Sequence, residues 1–537
     1  MTEPDATKAT PWETIAHSRA HPVLGRVRRR WLFLCILAVG LAVRLFRFGQ
    51  VPPGLGQDEA AIGYDAFALL HYGIDRSGFH NPVMFVSWGS GMDAINGYLV
   101  MPFIAVLGLS PLSVRAGNLL AGVVSLVVFY LLARRTGGNK VALLALFMLV
   151  ISPWHIMISR MAQDGNLFPA LFLAAVYCLV IGLERAWVLT MSAALFALCL
   201  FAYGPSYVVV PSFLGLAGIY VLYWRKVTLA QCVLPALVLA VIASPIVAYV
   251  AINRFGWESV QTPLFSIPRL TGPARYETVS AIFAANFVPV VLNDAKTALK
   301  LLLTQDDGQI WNAIPGYGFM YMFSLPFVVI GVATSAVAVW KAKRYDPAGF
   351  VLLWLLVSGA LALLERVNIN RINIVYLPLA YYLAVGILYV GRLRIVLAAI
   401  VAGYAVAFAL FAHAYFGSFP PEAGGAFYVS LREAIEKASD ATIGDVCVTG
   451  QVNQPYIFVL FQRKFDPHRY LSTVRFEDPH AAIHTVISFD RYTFGLENCT
   501  GRAFGAYVVE RDEPLPPEAK NFTVVPFDRY VVAIRPD

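Results

Sequence analysis

Between Trp31 and His413 the chain alternates apolar runs with short polar turns, and the basic turns all fall on one side. About eleven runs meet or approach the roughly twenty residues needed to cross a bilayer, starting with Trp31–Val43, Leu112–Leu132 and Val141–Ile158. The basic clusters at 26–30, 134–140, 225–226, 341–344 and 392–394 all mark the same face, which the positive-inside rule assigns to the cytoplasm. Only 14% of the 537 residues are charged and 58% are hydrophobic, against about 25% charged in soluble domains. The predicted class is a polytopic α-helical membrane protein. Its net charge of +8 is topological, so nucleic acid is not expected as a partner.

Three regions follow. Residues 1–30 read as a cytoplasmic N-terminal tail without a cleavable signal. Residues 31–415 form the transmembrane domain, with large outer loops at 49–112 and 253–311. In the first loop, Glu59–Leu70 has helical apolar spacing and is expected to lie along the membrane interface. Tyr98–Leu109 is too short to span and reads as juxtamembrane or re-entrant. An odd span count leaves residues 416–537 outside as a soluble α/β domain. There Phe427–Ala438 reads as an amphipathic helix, and Asp445–Val448, Tyr456–Phe461, Thr485–Phe489, Ala506–Val509 and Phe522–Ile534 read as strands. Cys447 and Cys499 are the pair available for a disulfide if this part is exported. The aromatics Tyr456, Phe458, Phe461 and Tyr470 read as core.

On this topology the outer side gathers ionisable residues at the ends of spans. Asp58 and Glu59 follow the first, Arg160 and Asp164 the third, and Arg366 and Arg371 flank the turn between the ninth and tenth. Solvated acids and snorkelling arginines are one reading. The other is a lipid phosphate at membrane depth, whose geometry guanidinium matches bidentately. A carboxylate beside such a phosphate suggests group transfer, because a sugar leaving a phosphate needs charge stabilisation and the acceptor hydroxyl needs a base. The glycines Gly63, Gly73 and Gly78 lack a nucleotide-binding context. There is no Cys/His cluster with metal spacing, so neither cofactor nor metal is expected.

The stretch Pro53-Gly-Leu-Gly-Gln-Asp-Glu-Ala60 with Tyr64 and Asp65, then Ser159-Arg160 and Asp164-Gly165, and finally Asn312-Ala-Ile-Pro-Gly-Tyr-Gly318, resembles the GT-C glycosyltransferases. The resemblance is to the branch of protein O-mannosyltransferases and the lipid A aminoarabinose transferase, and it covers residues 30–415 in layout. It implies an inverting transfer of a sugar from a polyprenyl-phosphate carrier at the outer membrane face, to a glycan, lipid or protein acceptor. It implies Asp58 as the catalytic base, with Glu59 and Asp164 as assisting acids. Substrate contacts are expected at Tyr64, Arg160, Arg366 and Arg371, the last two by position alone. One departure stands out. Several relatives carry a Pro-Pro motif with a lysine or histidine before the second span, whereas Trp88–Tyr98 here has no basic residue.

Two other functions compete. A ligase or polymerase using a diphosphate-linked donor would need more outer cations than Arg160, Arg366 and Arg371. A lipid-linked-sugar flippase or transporter would carry charges at mid-span and internal repeats, and the span interiors here are almost free of charge.

Overall fold

The computed structural model describes residues 22–481 and 483–536. The first part of the expected tail, residues 1–21, lies outside them. Helix α1 (Pro22–Leu45) already includes the 26–30 cluster, so these residues belong to a helix rather than precede one. Helices α2 (Gln57–Tyr72) and α3 (Ala94–Leu107) follow, the second covering the short apolar run. Next is α4 (Pro111–Ile151), broken at Gly138, where φ is +79°. That break falls between the second and third expected spans. Ser152 then caps a short α5 (Pro153–Ile158).

Helices α6 (Phe168–Gly182), α7 (Ala186–Cys199), α8 (Ser206–Tyr223) and α9 (Leu229–Phe255) complete the first half of the bundle. The start of α9 is set by Thr228, whose hydroxyl accepts from the Gln231 N–H while Gln231 bonds back to the Thr228 N–H. The second long loop carries α10 (Arg275–Val279) and α11 (Phe287–Thr304). Helices α12 (Leu325–Ala342), α13 (Ala348–Leu364), α14 (Tyr376–Val390) and α15 (Arg394–Phe416) close the bundle. Among the described residues six helical stretches are long and apolar enough to cross a membrane, and four apolar helices are shorter. The exposed apolar side chains of α9, among them Val233, Leu237, Val241 and Val247, suit a lipid-facing position, whereas α14 is buried on nearly every side.

Two glycines let α12 and α14 touch backbone to backbone. A Cβ on Gly331 would stand 1.9 Å from the Tyr382 carbonyl oxygen, and one on Gly386 1.8 Å from that of Phe327. Small residues at a helix crossing serve this purpose in membranes.

Beyond α15, after α16 (Phe419–Ala423), lies a seven-stranded mixed sheet with order β10-β11-β9-β5-β8-β7-β6. The central strand β5 (Val446–Val448) runs parallel to both β8 (Tyr492–Phe494) and β9 (Ala506–Glu510). The outer members are β6 (Arg475–Phe476), β7 (Val486–Phe489), β10 (Thr523–Pro526) and β11 (Tyr530–Ile534). Helix α17 (Leu431–Ala441) buries Leu431, Ala434, Ile435 and Ala438, one stripe at helical spacing. Cys447 and Cys499 are disulfide-bonded.

Besides Phe522–Ile534, which forms two antiparallel strands, β10 and β11, rather than one, two expectations change. Tyr456–Phe461 lies in a helix, α18 (Pro455–Arg463), and not in a strand. Pro455 opens the helix at its first turn, and a fully buried apolar run has no period that separates helix from strand. The second change concerns α2. It does not lie on the interface: every residue from Glu59 to Leu69 is buried. Its apolar side chains share one core with α17, α18 and the sheet. The Leu55 N–H donates to the Phe427 carbonyl (2.9 Å), and the Tyr64 hydroxyl donates to that of Phe465 (2.8 Å). The first long loop and the C-terminal sheet therefore fold around each other.

Gly386→Ala is expected to lower the thermal unfolding midpoint in detergent, since even one methyl drives the two backbones apart, at about 1–3 kcal/mol. Gly403→Ala, with open space at its Cβ, serves as the control and is expected to leave the midpoint in place.

Candidate active site

Two buried arginines fix the chain where α1 gives way to α2. Arg160 donates to the carbonyls of Val43, Arg44, Phe46, Arg47 and Val51, with the shortest contact, to Arg44, at 2.6 Å. The Val43 and Arg44 carbonyls are acceptors that the end of α1 leaves without helical partners. Arg115 binds both oxygens of Glu59 at 2.7 Å and also the carbonyls of Pro52 (2.8 Å) and Gly54 (3.1 Å). Glu59 accepts two further bonds, from the Ala162 and Gly56 N–H groups. Four donors thus hold one carboxylate, and the start of α2 is locked. Asp58, one residue earlier, stays only partly buried.

The second half of the site comes from distant segments. The strands β1 (Met84–Phe85) and β2 (Met92–Asp93) form a hairpin in the first long loop. The second long loop lies against it with its own hairpin, β3 (Val260–Gln261) and β4 (Ser266–Ile267), through the bond from the Val83 N–H to the Ser266 carbonyl. The Arg275 N–H donates to the Ser90 carbonyl at 2.9 Å. Asp164 accepts from the Asp93 N–H (3.4 Å), and its own carbonyl accepts from Asn370 Nδ2 (2.9 Å). Asn373 Nδ2 reaches the Gly165 carbonyl in the same way, at 3.0 Å. A cleft opens among these segments, lined in part by Asp93, Asp164, Tyr203, Arg275, Glu365 and Arg371. Asp58 is not among the lining residues, but it is near enough to feel the charge of Arg275 and to act on Asp164.

Charge in and around the cleft is strongly coupled. Burial pushes Asp164 up to about 7; the Arg275 charge opposes this and the Asp58 charge adds to it. Burial also raises Asp58 above the usual carboxylate range, again opposed by Arg275 and reinforced by Glu59. For Arg275 burial alone would lower the pKa, but Asp164 and Asp58 together raise it. Glu365 is pushed up to about 7 by burial, against the pull of Arg371. One guanidinium therefore serves two carboxylates from different loops.

The expected site residues divide. Asp58, Asp164 and Arg371 come together at or beside the cleft. Glu59 does not face it, because Arg115 and two backbone N–H groups take up both its oxygens. Arg160, expected to meet substrate, has its guanidinium engaged by main-chain carbonyls. Tyr64 turns toward the C-terminal sheet. Arg366 is exposed and lines a separate, wider groove with Asp294. Sequence reasoning missed Arg275, Glu365 and Asp93. The signal for Arg275 is only a cation in a long outer loop, after Gly272-Pro273. Among the described residues no group of three His, Cys, Asp or Glu side chains is arranged to hold a metal ion.

Comparison with known proteins shows the fold. The family model of dolichyl-phosphate-mannose-protein mannosyltransferases matches residues 95–250. Among solved structures, ArnT from Cupriavidus metallidurans superposes in its apo state with a TM-score of 0.53 at 13% identity, covering 96% of this chain and 98% of that one. The same protein bound to undecaprenyl phosphate gives 0.52 at 14%, covering 94% and 97%. The oligosaccharyltransferase of Archaeoglobus fulgidus, tethered to an acceptor peptide, gives 0.50 at 12% identity. It covers 81% of this chain, which spans 63% of the archaeal protein. No curated protein sequence matches significantly. The fold is that of the GT-C superfamily of glycosyltransferases, with a C-terminal sheet.

Arg115→Met is expected to destabilise the protein by about 3–5 kcal/mol, because it strands the Glu59 carboxylate in the interior. Thermal unfolding in detergent reads this. A second expectation concerns pH. The folded pKa of Asp164 lies above its unfolded value, so its contribution to stability is complete below about pH 4 and is lost as pH rises to about 7. Comparing wild type with Asp164→Asn from pH 4 to 8 should remove up to ~1.4 kcal/mol of slope per pH unit in that window, and none above it.

Proposed function

We propose that the protein is an integral-membrane glycosyltransferase that moves a sugar from a polyprenyl-phosphate carrier to an acceptor at the outer membrane face, with inversion. The observation that carries this reading is the cleft that gathers Asp164, Arg275 and Arg371 from separate loops on a GT-C scaffold, with Asp58 near enough to feel the Arg275 charge. The undecaprenyl phosphate held by ArnT supports a carrier of that type. The basic clusters on the opposite face and the disulfide in the C-terminal sheet support the outer orientation.

The chemistry follows from the charges. Asp58 takes the proton of the acceptor hydroxyl as its oxygen attacks the anomeric carbon. The bond from that carbon to the phosphate oxygen breaks, and the polyprenyl phosphate leaves with the electron pair. Arg275 and Arg371 stabilise the charge that grows on the phosphate. A carboxyl raised by burial is the stronger base, which suits Asp58 to this task. Arg275 takes the place of the cation that the Trp88–Tyr98 stretch lacks. Glu59 acts through Asp58, by holding the start of α2.

The test is turnover of radiolabelled undecaprenyl-phosphate-linked mannose, glucose, galactose and arabinose by membranes carrying wild type or Asp58→Asn at equal abundance. Wild type is expected to consume at least one donor, and the variant to be about 10²–10⁴-fold slower, as for a lost general base. Equal rates would show that Asp58 is not the base. No consumption of any donor by wild type would count against the carrier type.

A further inference from the structure

Asp93 is the most unusual acid in the cleft. It is 2% exposed, it lines the cleft, and neither carboxylate oxygen has a hydrogen-bond partner. It occupies the N-cap position of α3, where aspartate ordinarily accepts from the helix's free N–H groups. Its side chain makes no such bond. The surrounding chain fixes this arrangement. The β1–β2 register pairs Asp93 with Met84, and its N–H is held by Asp164. The loop between the two strands is clamped from both sides: the Arg76 guanidinium sits 4.7 Å from the Trp88 ring centre, and the His484 N–H of the C-terminal sheet region donates to the Trp88 carbonyl. Buried polar groups are normally paired, and an orphan at a cleft wall marks a place where a ligand supplies the partner. Three more orphans line the same cleft, Glu365 Oε2 and the hydroxyls of Tyr207 and Tyr276, whose rings lie 5.6 Å apart.

We propose that Asp93 binds the transferred sugar, its two carboxylate oxygens accepting from a pair of neighbouring sugar hydroxyls, with Tyr207 and Tyr276 completing the polar wall. A carboxylate has acceptors only, so it needs donors, and a sugar presents hydroxyl donors in adjacent pairs. The tyrosine hydroxyls both donate and accept, as contacts to further hydroxyls require. Phosphate does not suit this wall, since a carboxylate repels it; Arg275 and Arg371 face that part of the donor. The assignment rests on the glycosyltransferase reading, and it makes Asp93 the residue that selects the sugar.

The experiment uses membranes with the full-length wild type, Asp93→Asn and Asp93→Ala, and the sugar among the four above that wild type transfers, together with its monodeoxy forms on undecaprenyl phosphate. Asp93→Ala is expected to raise the donor KM about 10-fold or more, as for lost hydrogen bonds to a charged group, with a smaller change in kcat. Asp93→Asn, which keeps one acceptor oxygen, is expected to fall between. The deoxy forms at two adjacent positions should lose comparably with wild type and lose little more with Asp93→Ala, because ligand and side chain then lack the same bonds. Both variants should match or exceed the wild-type unfolding midpoint in detergent, since no partner is stranded; a structural acid would lower it. The proposal is overturned if the deoxy and Asp93→Ala losses multiply at every position, or if KM is unchanged. Wild-type turnover that is abolished by Asp58→Asn upholds the transferase reading whatever Asp93 does. A wild type that transfers none of the four sugars removes both.

Discussion

The bidentate pair of Glu59 with Arg115 is the contact on which the rest of the site depends. It lies in the interior, where an unmatched charge is costly, and all four of the carboxylate's bonds come from fixed donors on three different segments. Arg115 reaches it from α4, Ala162 from the loop after α5, and Gly56 from the entry to α2 itself. The carboxylate therefore joins α4 and the loop after α5 to the helix that bears Asp58. Arg160 does similar work one turn away, by binding the carbonyls at which α1 ends. Neighbouring acids in the sequence thus have opposite fates: one is saturated and holds position, the other is left partly open beside the cleft.

Around that anchor the cleft is a product of association. No single segment contains it. The first long loop brings Asp93, the loop after α5 brings Asp164, the second long loop brings Arg275, and the turn before α14 brings Arg371. Short backbone contacts knit these loops together, notably Arg275 to Ser90 and Val83 to Ser266. The C-terminal sheet joins from the side, sharing a core with α2 and reaching the Trp88 carbonyl and the Thr271 hydroxyl through His484. This explains why the sheet is not a detachable appendage. It braces the loops that form the cleft wall, at Trp88 in the first and Thr271 in the second.

Much of the architecture was legible in the residues. Apolar runs near twenty residues and the one-sided basic turns announce a helical membrane protein, because charge and bilayer thickness act locally on each segment. The stripe Leu431, Ala434, Ile435 and Ala438 announces a helix against a sheet for the same local reason. Legibility failed where a run is buried on all sides. The Tyr456–Phe461 run carries no period, and α2, whose apolar spacing suggested a membrane surface, found a protein surface to cover.

For the site, the sequence by itself determined the kinds of group available and where two of them fall: a DE pair after the first span and an acid after the third. Only the tertiary structure decided which of them face substrate. Arg160 and Arg275 are the same residue type in loops assigned to one face, yet one is surrounded by main-chain carbonyls and the other lines the cleft with Asp164. Asp93 is a sound N-cap by position and an unpaired acid in fact. The physical reason is that a side chain's role is set by which donors and acceptors reach it, and here those partners lie from about two hundred to 401 residues away along the chain.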